Sequence, residues 1–294
     1  MSERFVVTGA HGCLGAWVLA ELAREQVEVV AVDVAHGVGR AQLLLDEDEL
    51  TRIRFVRGDV TDPGSVAAAL HGATHVIHLA ALQYPYCRDD HVAGARVNVL
   101  GTLNVFDAAR AVGARLAYAS SIAALADGSL YGAWKRANEG TASAFWAEDG
   151  FPSIGIRAAL VYGVGRDRGV TASMTLAMQA AAEGRPFRIV HGGSSPLNHA
   201  GDLARVFVRA ARAVSDEAPV YNAGGRVHGM DEVVAAIHVA APEADVTFED
   251  APFAPTPTGF NGRALARALG GVRWRPLQQG VLETVERYRQ LAHG

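Results

Sequence analysis

A chain of 294 residues, half of them hydrophobic, can bury one large core or one core plus a smaller lobe, and is too apolar to be disordered. A formal net charge of -4 leaves no basic footprint for nucleic acid, and two cysteines, Cys13 and Cys87, are too few for a disulfide framework and suit a reducing cytosol. With no signal-like region after Met1-Ser2-Glu3-Arg4 and no run long enough to span a bilayer, the sequence points to a cytoplasmic protein whose partner is a small molecule, not nucleic acid or membrane.

Arg4 to Thr8 read as a buried strand that stops at Gly9-Ala10-His11-Gly12-Cys13-Leu14-Gly15, and helical spacing follows from Ala16 to Arg24. In a strand, glycine loop and helix unit, Gly9 serves the tight turn, Gly12 lets a pyrophosphate approach the backbone, and Gly15 lets the helix pack on the strand. The N–H groups near Cys13 and Leu14 are a seat for phosphate. Val27 to Val32 form a second strand ending in Asp33, about 20 positions past the loop, where a carboxylate accepts hydrogen bonds from an adenosine ribose and repels a 2′-phosphate. The expected cofactor is therefore NAD and not NADP.

Residues His36 to Arg52 read as a connection with one short helix, and Asp46-Glu47-Asp48-Glu49 as a solvated acidic face. Ile53 to Arg57 is a third strand, after which Asp62 or Thr61 caps a helix to Leu70. Thr74 to Leu79 is a fourth, closed by Ala80 and Ala81, whose small side chains let a ligand lie against the backbone. His78, inside that apolar strand, reads as a satisfied core histidine. One long helix is expected from Asp90 to Val112, apolar over more than one stripe, and then a fifth strand from Leu116 to Ala119 that delivers Ser120 and Ser121.

The next helix, running to about Glu148, carries Tyr131-Gly132-Ala133-Trp134-Lys135. Four residues apart, the phenol and the ammonium project side by side. A protonated lysine beside a tyrosine favours the phenolate, so the phenol can trade a proton with an alcohol or carbonyl near neutral pH. Lys135 is the only lysine among 27 basic residues, which marks it as held by chemistry that arginine's rigid fork cannot do.

These pieces together resemble the extended short-chain dehydrogenase/reductase family, the group that includes the NAD-dependent nucleotide-sugar epimerases and dehydratases. The resemblance rests on Thr8-Gly9-x-x-Gly12-x-x-Gly15, Asp33, Asp59-Val60, His78-Leu79-Ala80-Ala81, Asn98-x-x-Gly101-Thr102-x-Asn104, Ser120-Ser121 and Tyr131-x-x-x-Lys135, in the family's order over residues 1 to 165. It implies that Asp59 and Val60 meet the adenine and that Ala80 and Ala81 pass the nicotinamide side, with Leu79 and Asn98 also around the cofactor. It makes Tyr131 the general acid–base and Lys135 the group that holds the nicotinamide ribose and depresses the tyrosine pKa. Ser121, more than Ser120, becomes the hydroxyl that polarises the substrate oxygen. The family often dimerises through two long helices per subunit, so a homodimer is expected. Two departures count against a bulky nucleotide sugar. Only nine residues separate Ser121 from Tyr131, and the sixth-strand stretch Ile156 to Gly163 has Leu160 where sugar-nucleotide enzymes commonly carry an asparagine.

Past Gly163 the chain changes character. Arg166 and Arg168, in a glycine-bearing segment, could grip a carboxylate or phosphate or be solvated loop arginines; with Gln83 and Ser121 they are the candidates for substrate contact. A helix is expected from Thr171 to Glu183, a strand from Phe187 to Val190, a helix from Asp202 to Val214 and a strand from Val220 to Asn222. Asp231 is expected to cap a helix to Val239, followed by a strand from Val246 to Phe248, a proline-rich loop through Pro252, Pro255 and Pro257, and helices at Arg263 to Leu269 and Pro276 to Leu291. His191 and His199 lie near where the family brings the chain back towards the cleft, and read equally well as parts of polar turns; no spaced cluster argues for a metal. The expected architecture is α/β, a doubly wound parallel sheet of Rossmann type over 1-165, with segments near 187-223 returning to it. A small interleaved substrate lobe and C-terminal helices make up 166-294. The expected activity is NAD-dependent oxidoreduction of a small sugar, polyol or hydroxy-acid type substrate. The alternatives are an epimerase or dehydratase that returns the hydride, and a non-catalytic NAD-sensing protein.

Overall fold

The computed structural model describes residues 2–126, 128–251 and 256–293. Pro252 and Pro255 of the expected proline-rich loop lie outside the described residues. The strands are β1 (Arg4–Thr8), β2 (Glu28–Asp33), β3 (Ile53–Arg57), β4 (His75–His78), β5 (Arg115–Ser121), β6 (Ser153–Ala158), β7 (Leu160–Tyr162), β8 (Phe187–Ile189), β9 (Ser194–His199), β10 (Val220–Asn222), β11 (Val227–Gly229) and β12 (Val246–Phe248).

Seven of them form one parallel sheet in the order β10-β6-β5-β4-β1-β2-β3. Both faces of this sheet are buried, so its strands are apolar at successive positions. Phe5, Val7, Val29, Ala31 and Ile77 point to one core, and Val6, Val30, Val32, Val76 and Leu116 point to the other. The first core is covered by the helices Cys13–Ala23 and Ala200–Arg212, through Val18, Leu19, Leu22, Leu203 and Phe207. The second is covered by Pro63–Leu70, Gly101–Ala111 and Leu130–Asp149, through Val66, Leu70, Val105, Phe106 and Ala142. The chain order reverses between β1 and β4, which opens a crevice at the carboxyl ends of those two strands.

Four local departures from the sequence reading have physical causes. The expected single helix from Asp90 to Val112 is three pieces. Asp90 accepts a hydrogen bond from Ala93 N at 2.9 Å and starts His91–Ala95, a π-helical turn spans Arg96–Leu100, and the α-helix resumes at Gly101. A further short helix, Tyr84–Asp89, precedes it, tolerating Pro85 in its first turn, where no intrahelical N–H is needed. The stretch Ile156 to Gly163 divides at Ala159, whose N–H leaves the ladder and donates to the Asn198 side chain at 3.0 Å. Beyond that point β7 pairs with β9, which also holds β11, while β8 pairs with β12. Of the segment 187–223, therefore, β10 joins the seven-stranded sheet and Ala200–Arg212 packs on it, whereas β8 and β9 pair in the smaller sheets. Finally, Gly229 and not Asp231 is the N-cap of Met230–Ala240, and Asp231 lies in its first turn beside the helix dipole. The acidic run at 46–49 is partly self-satisfied: Asp46 and Glu49 form a reciprocal capping box with bonds of 2.8 and 3.0 Å. A third core cluster buries Tyr162, Met174, Ile237 and Val281.

Candidate active site

The crevice holds a cavity of about 870 Å³ that runs from the glycine loop to the helix carrying Tyr131 and Lys135. Gly9 has φ +69°, and a Cβ on it would lie 2.6 Å from Ala80 N, so glycine serves both the turn and the close approach of the chain after β4. A Cβ on Gly15 would lie 2.3 Å from Gly9 O, so only glycine lets the first turn of Cys13–Ala23 sit on the loop. Gly12 differs, since its Cβ would meet only Gly9 O at 3.2 Å. The open side of Gly12 faces the cavity that it lines with Cys13 and Leu14, as a cradle for phosphate requires. Asp33, at the end of β2, accepts from His11 N at 3.0 Å and lines the same cavity. Asp59, Val60, Leu79, Ala80, Ala81 and Gln83 line it as well. This set of residues fits a dinucleotide laid across the crevice.

At the far end stand Ser121, Tyr131 and Lys135. Ser129 caps the helix by accepting from Gly132 N at 3.0 Å, which fixes Tyr131 in the first turn and Lys135 one turn on. Lys135 is 4% exposed, its Nζ donates to Ala119 O at 2.7 Å, and it lies 5.7 Å from the centroid of the Tyr131 ring. Burial lowers its pKa to about 8, yet it remains a cation at neutral pH. The two adjacent serines have different employment. Ser120 donates to Glu139, which is clamped by Arg157 at 2.6 and 2.8 Å. Ser121 Oγ accepts from Ala123 N at 3.2 Å, which leaves its proton to donate. Glu139 and Arg157 were not singled out from the sequence; the available signal was that Glu139 stands four residues beyond Lys135 on the same helix.

Two candidates stand apart from the cavity wall. Arg168 is exposed and does not line it. Asn98 is 1% exposed and holds the chain after β4 from behind: Leu82 N donates to its Oδ1 at 2.7 Å, and its Nδ2 donates to Leu82 O at 2.9 Å. The π-helical turn aims it there. Asn98→Leu would leave Leu82 N unpaired and Leu82 O with only the weak Cys87 thiol donor at 3.2 Å, and is expected to destabilise the protein by about 1–3 kcal/mol, read by chemical denaturation. His78 is paired on both ring nitrogens, with Thr8 Oγ1 at 2.7 Å and Thr102 Oγ1 at 3.0 Å, and burial lowers its pKa to about 3, so it stays neutral.

The model of the NAD dependent epimerase/dehydratase family matches residues 5–224. The chain belongs to this family. It is 27% identical to the UDP-glucose 4-epimerase of Mycolicibacterium smegmatis over 97% of this chain and 98% of that protein. The crystal structure of Thermus thermophilus UDP-glucose 4-epimerase in complex with NAD superimposes with a TM-score of 0.79 at 26% identity, covering 97% of this chain and 99% of that one. MoeE5 in complex with UDP-glucose and NAD gives 0.81 at 25% identity, covering 98% and 99%. This member of the epimerase/dehydratase family is thus an NAD-dependent enzyme.

Proposed function

We propose that this chain is an NAD-dependent oxidoreductase that moves a hydride between NAD and the hydroxyl or carbonyl carbon of a small sugar, polyol or hydroxy-acid type substrate. One observation carries this reading: Ser121, Tyr131 and Lys135 share a wall of the cavity whose other end is the glycine loop. NAD, when bound, supplies the hydride acceptor or donor. The chain's own work is on the proton. Tyr131 Oη takes the proton of the substrate hydroxyl as its carbon is oxidised, or gives it back on reduction. Lys135, fixed by Ala119 O, holds a positive charge beside the phenol and favours the phenolate. Ser121 donates to the substrate oxygen and orients it.

The substrate end supports a small molecule. Leu160 contributes an apolar wall there, and among the described residues Lys135 and Arg166 are the cations of the lining, few for a nucleotide diphosphate in addition to NAD. A second reading, a nucleotide-sugar epimerase or dehydratase that returns the hydride, draws support from the full-length likeness to UDP-glucose 4-epimerases. Excess NAD with a panel of sugars, polyols and hydroxy acids separates the two. Sustained growth of NADH absorbance over many turnovers is the expected result. No growth across the panel, with isomerised nucleotide sugar in a parallel assay, would establish the second reading. The same proposal makes the protein a cytoplasmic homodimer, in keeping with free Cys13 and Cys87 and with exposed Leu100 and Leu103 on the helical stretch that follows β4.

A further inference from the structure

Segment 163–171 leaves β7 and passes over the crevice, held on both banks. On one bank, Trp17 Nε1 donates to Val164 O at 3.0 Å and Cys13 Sγ reaches the same oxygen at 3.7 Å, so the opening of the Cys13–Ala23 helix is bolted to the segment. Arg40 adds a tie, with Nη1 on His11 O at 2.9 Å and its charge paired with the Asp167 carboxylate. On the other bank, Gly169 lies against Gln83, since a Cβ built there would stand 2.7 Å from Gln83 Oε1. Arg166 sits between these anchors and lines the cavity. Its Nη2 donates to Thr171 Oγ1 at 2.7 Å, whereas its buried Nε has no partner among the described residues. The sequence leaves Arg166 as a possible grip on a substrate anion, but the segment that carries it is tied through Val164 O to Cys13 and Trp17, in the helix whose first turn is the phosphate seat. Burial pushes the Cys13 thiol up to about 12, and the Arg166 guanidinium is the leading charge that pulls it back, so its field reaches the first turn of that helix.

We propose that Arg166 closes over the pyrophosphate of NAD from the side opposite the Cys13–Leu14 helix N-terminus, and that segment 163–171 is a clasp that retains the cofactor. The helix N-terminus supplies N–H donors and a partial positive charge from below. A guanidinium held by Thr171 supplies a full charge and fixed donors from above, which matches a diphosphate bearing two negative charges. The clasp also touches Gln83 across the crevice, so cofactor release requires segment 163–171 to part from the chain after β4. If Arg166 is engaged in this way, Lys135 is the one described cation left in the lining, which strengthens the case for a substrate without a diphosphate.

The inference rests on NAD occupying the crevice, and calorimetric titration of the full chain tests the two separately. Wild-type protein that binds neither NAD nor ADP-ribose would remove the NAD reading itself. With binding in hand, Arg166→Gln is expected to raise the Kd of NAD about ten- to hundredfold, and that of ADP-ribose by the same factor, because both carry the pyrophosphate. Arg166→Lys, which keeps the charge and loses the fork, is expected to fall between and provides the reading should the Gln variant melt at assay temperature. NAD affinity within about twofold of wild type in both variants would overturn the clasp. So would a penalty for NAD without one for ADP-ribose, which would put Arg166 at the nicotinamide end.

Discussion

Tyr131→Phe is expected to lower turnover about a thousandfold while NAD affinity stays close to wild type. The substitution removes one oxygen and keeps the ring, so the 5.7 Å placement beside Lys135 and the helix capped by Ser129 have no reason to change. In the proposed mechanism, what is lost is the group that carries the proton between substrate oxygen and solvent. Stopped-flow hydride transfer measured beside calorimetric NAD binding checks both halves. Turnover near wild type would move the acid–base role to another group. Loss of NAD binding in step with turnover would mean that the phenol acts through the cofactor's seat and not on the proton.

Lys135→Met is expected to reduce turnover about a hundredfold and, at the same time, to stabilise the fold at pH 7 by about 1–2 kcal/mol after the loss of its bond to Ala119 O is counted. The lysine is 4% exposed, and burial is the largest cause of a pKa lowered to about 8 from the usual 10.5. Below about pH 8 the folded and unfolded chains both carry the proton, and the folded state bears the whole cost of burying the charge. Between about 8 and 10.5 the unfolded chain keeps the proton and the folded chain sheds it, so this site's contribution to stability rises with pH. Near 10.5 the cost is gone. Denaturation midpoints of wild type and variant should therefore converge across that window. A gap that does not change with pH would show that the ammonium is not what the burial penalises. The same titration weakens the field on Tyr131, so wild-type turnover should fall above about pH 8 where the variant's residual rate does not.

The two effects of Lys135 pull against each other, and the fold tolerates the cost because the surrounding cores are large. Val105, Phe106, Leu116 and Tyr118 are essentially shielded from solvent on the face of the sheet that the Leu130–Asp149 helix covers. Stability given up at one buried ammonium is a familiar feature of sites that need a perturbed group.

The features that the sequence alone determined are those written in contiguous residues. Strand, glycine loop and helix at 4–23, the carboxylate that ends β2, and a phenol and an ammonium one helical turn apart all follow from local spacing, because periods of 2 and 3.6 residues decide which side chains share a face. The two faces on which those apolar strands are buried, by contrast, were shown by the packed helices. Other features depend on chain segments that meet only after folding. Asn98 became a clamp on Leu82 through a π-helical turn that no periodicity signals, and Ser120 was taken out of contention by Glu139 and Arg157. The run through Ala159 reads as one strand until Asn198, 39 residues on, takes its N–H. The sequence offers Arg166 a carboxylate or a phosphate, and the proposal that it meets the pyrophosphate rests on the crossing of segment 163–171 between Trp17 and Gln83, which no local spacing signals. Local propensity fixes what each element is, whereas hydrogen bonds and charges between distant segments depend on where the chain's crossings bring them, and tertiary structure alone decides that.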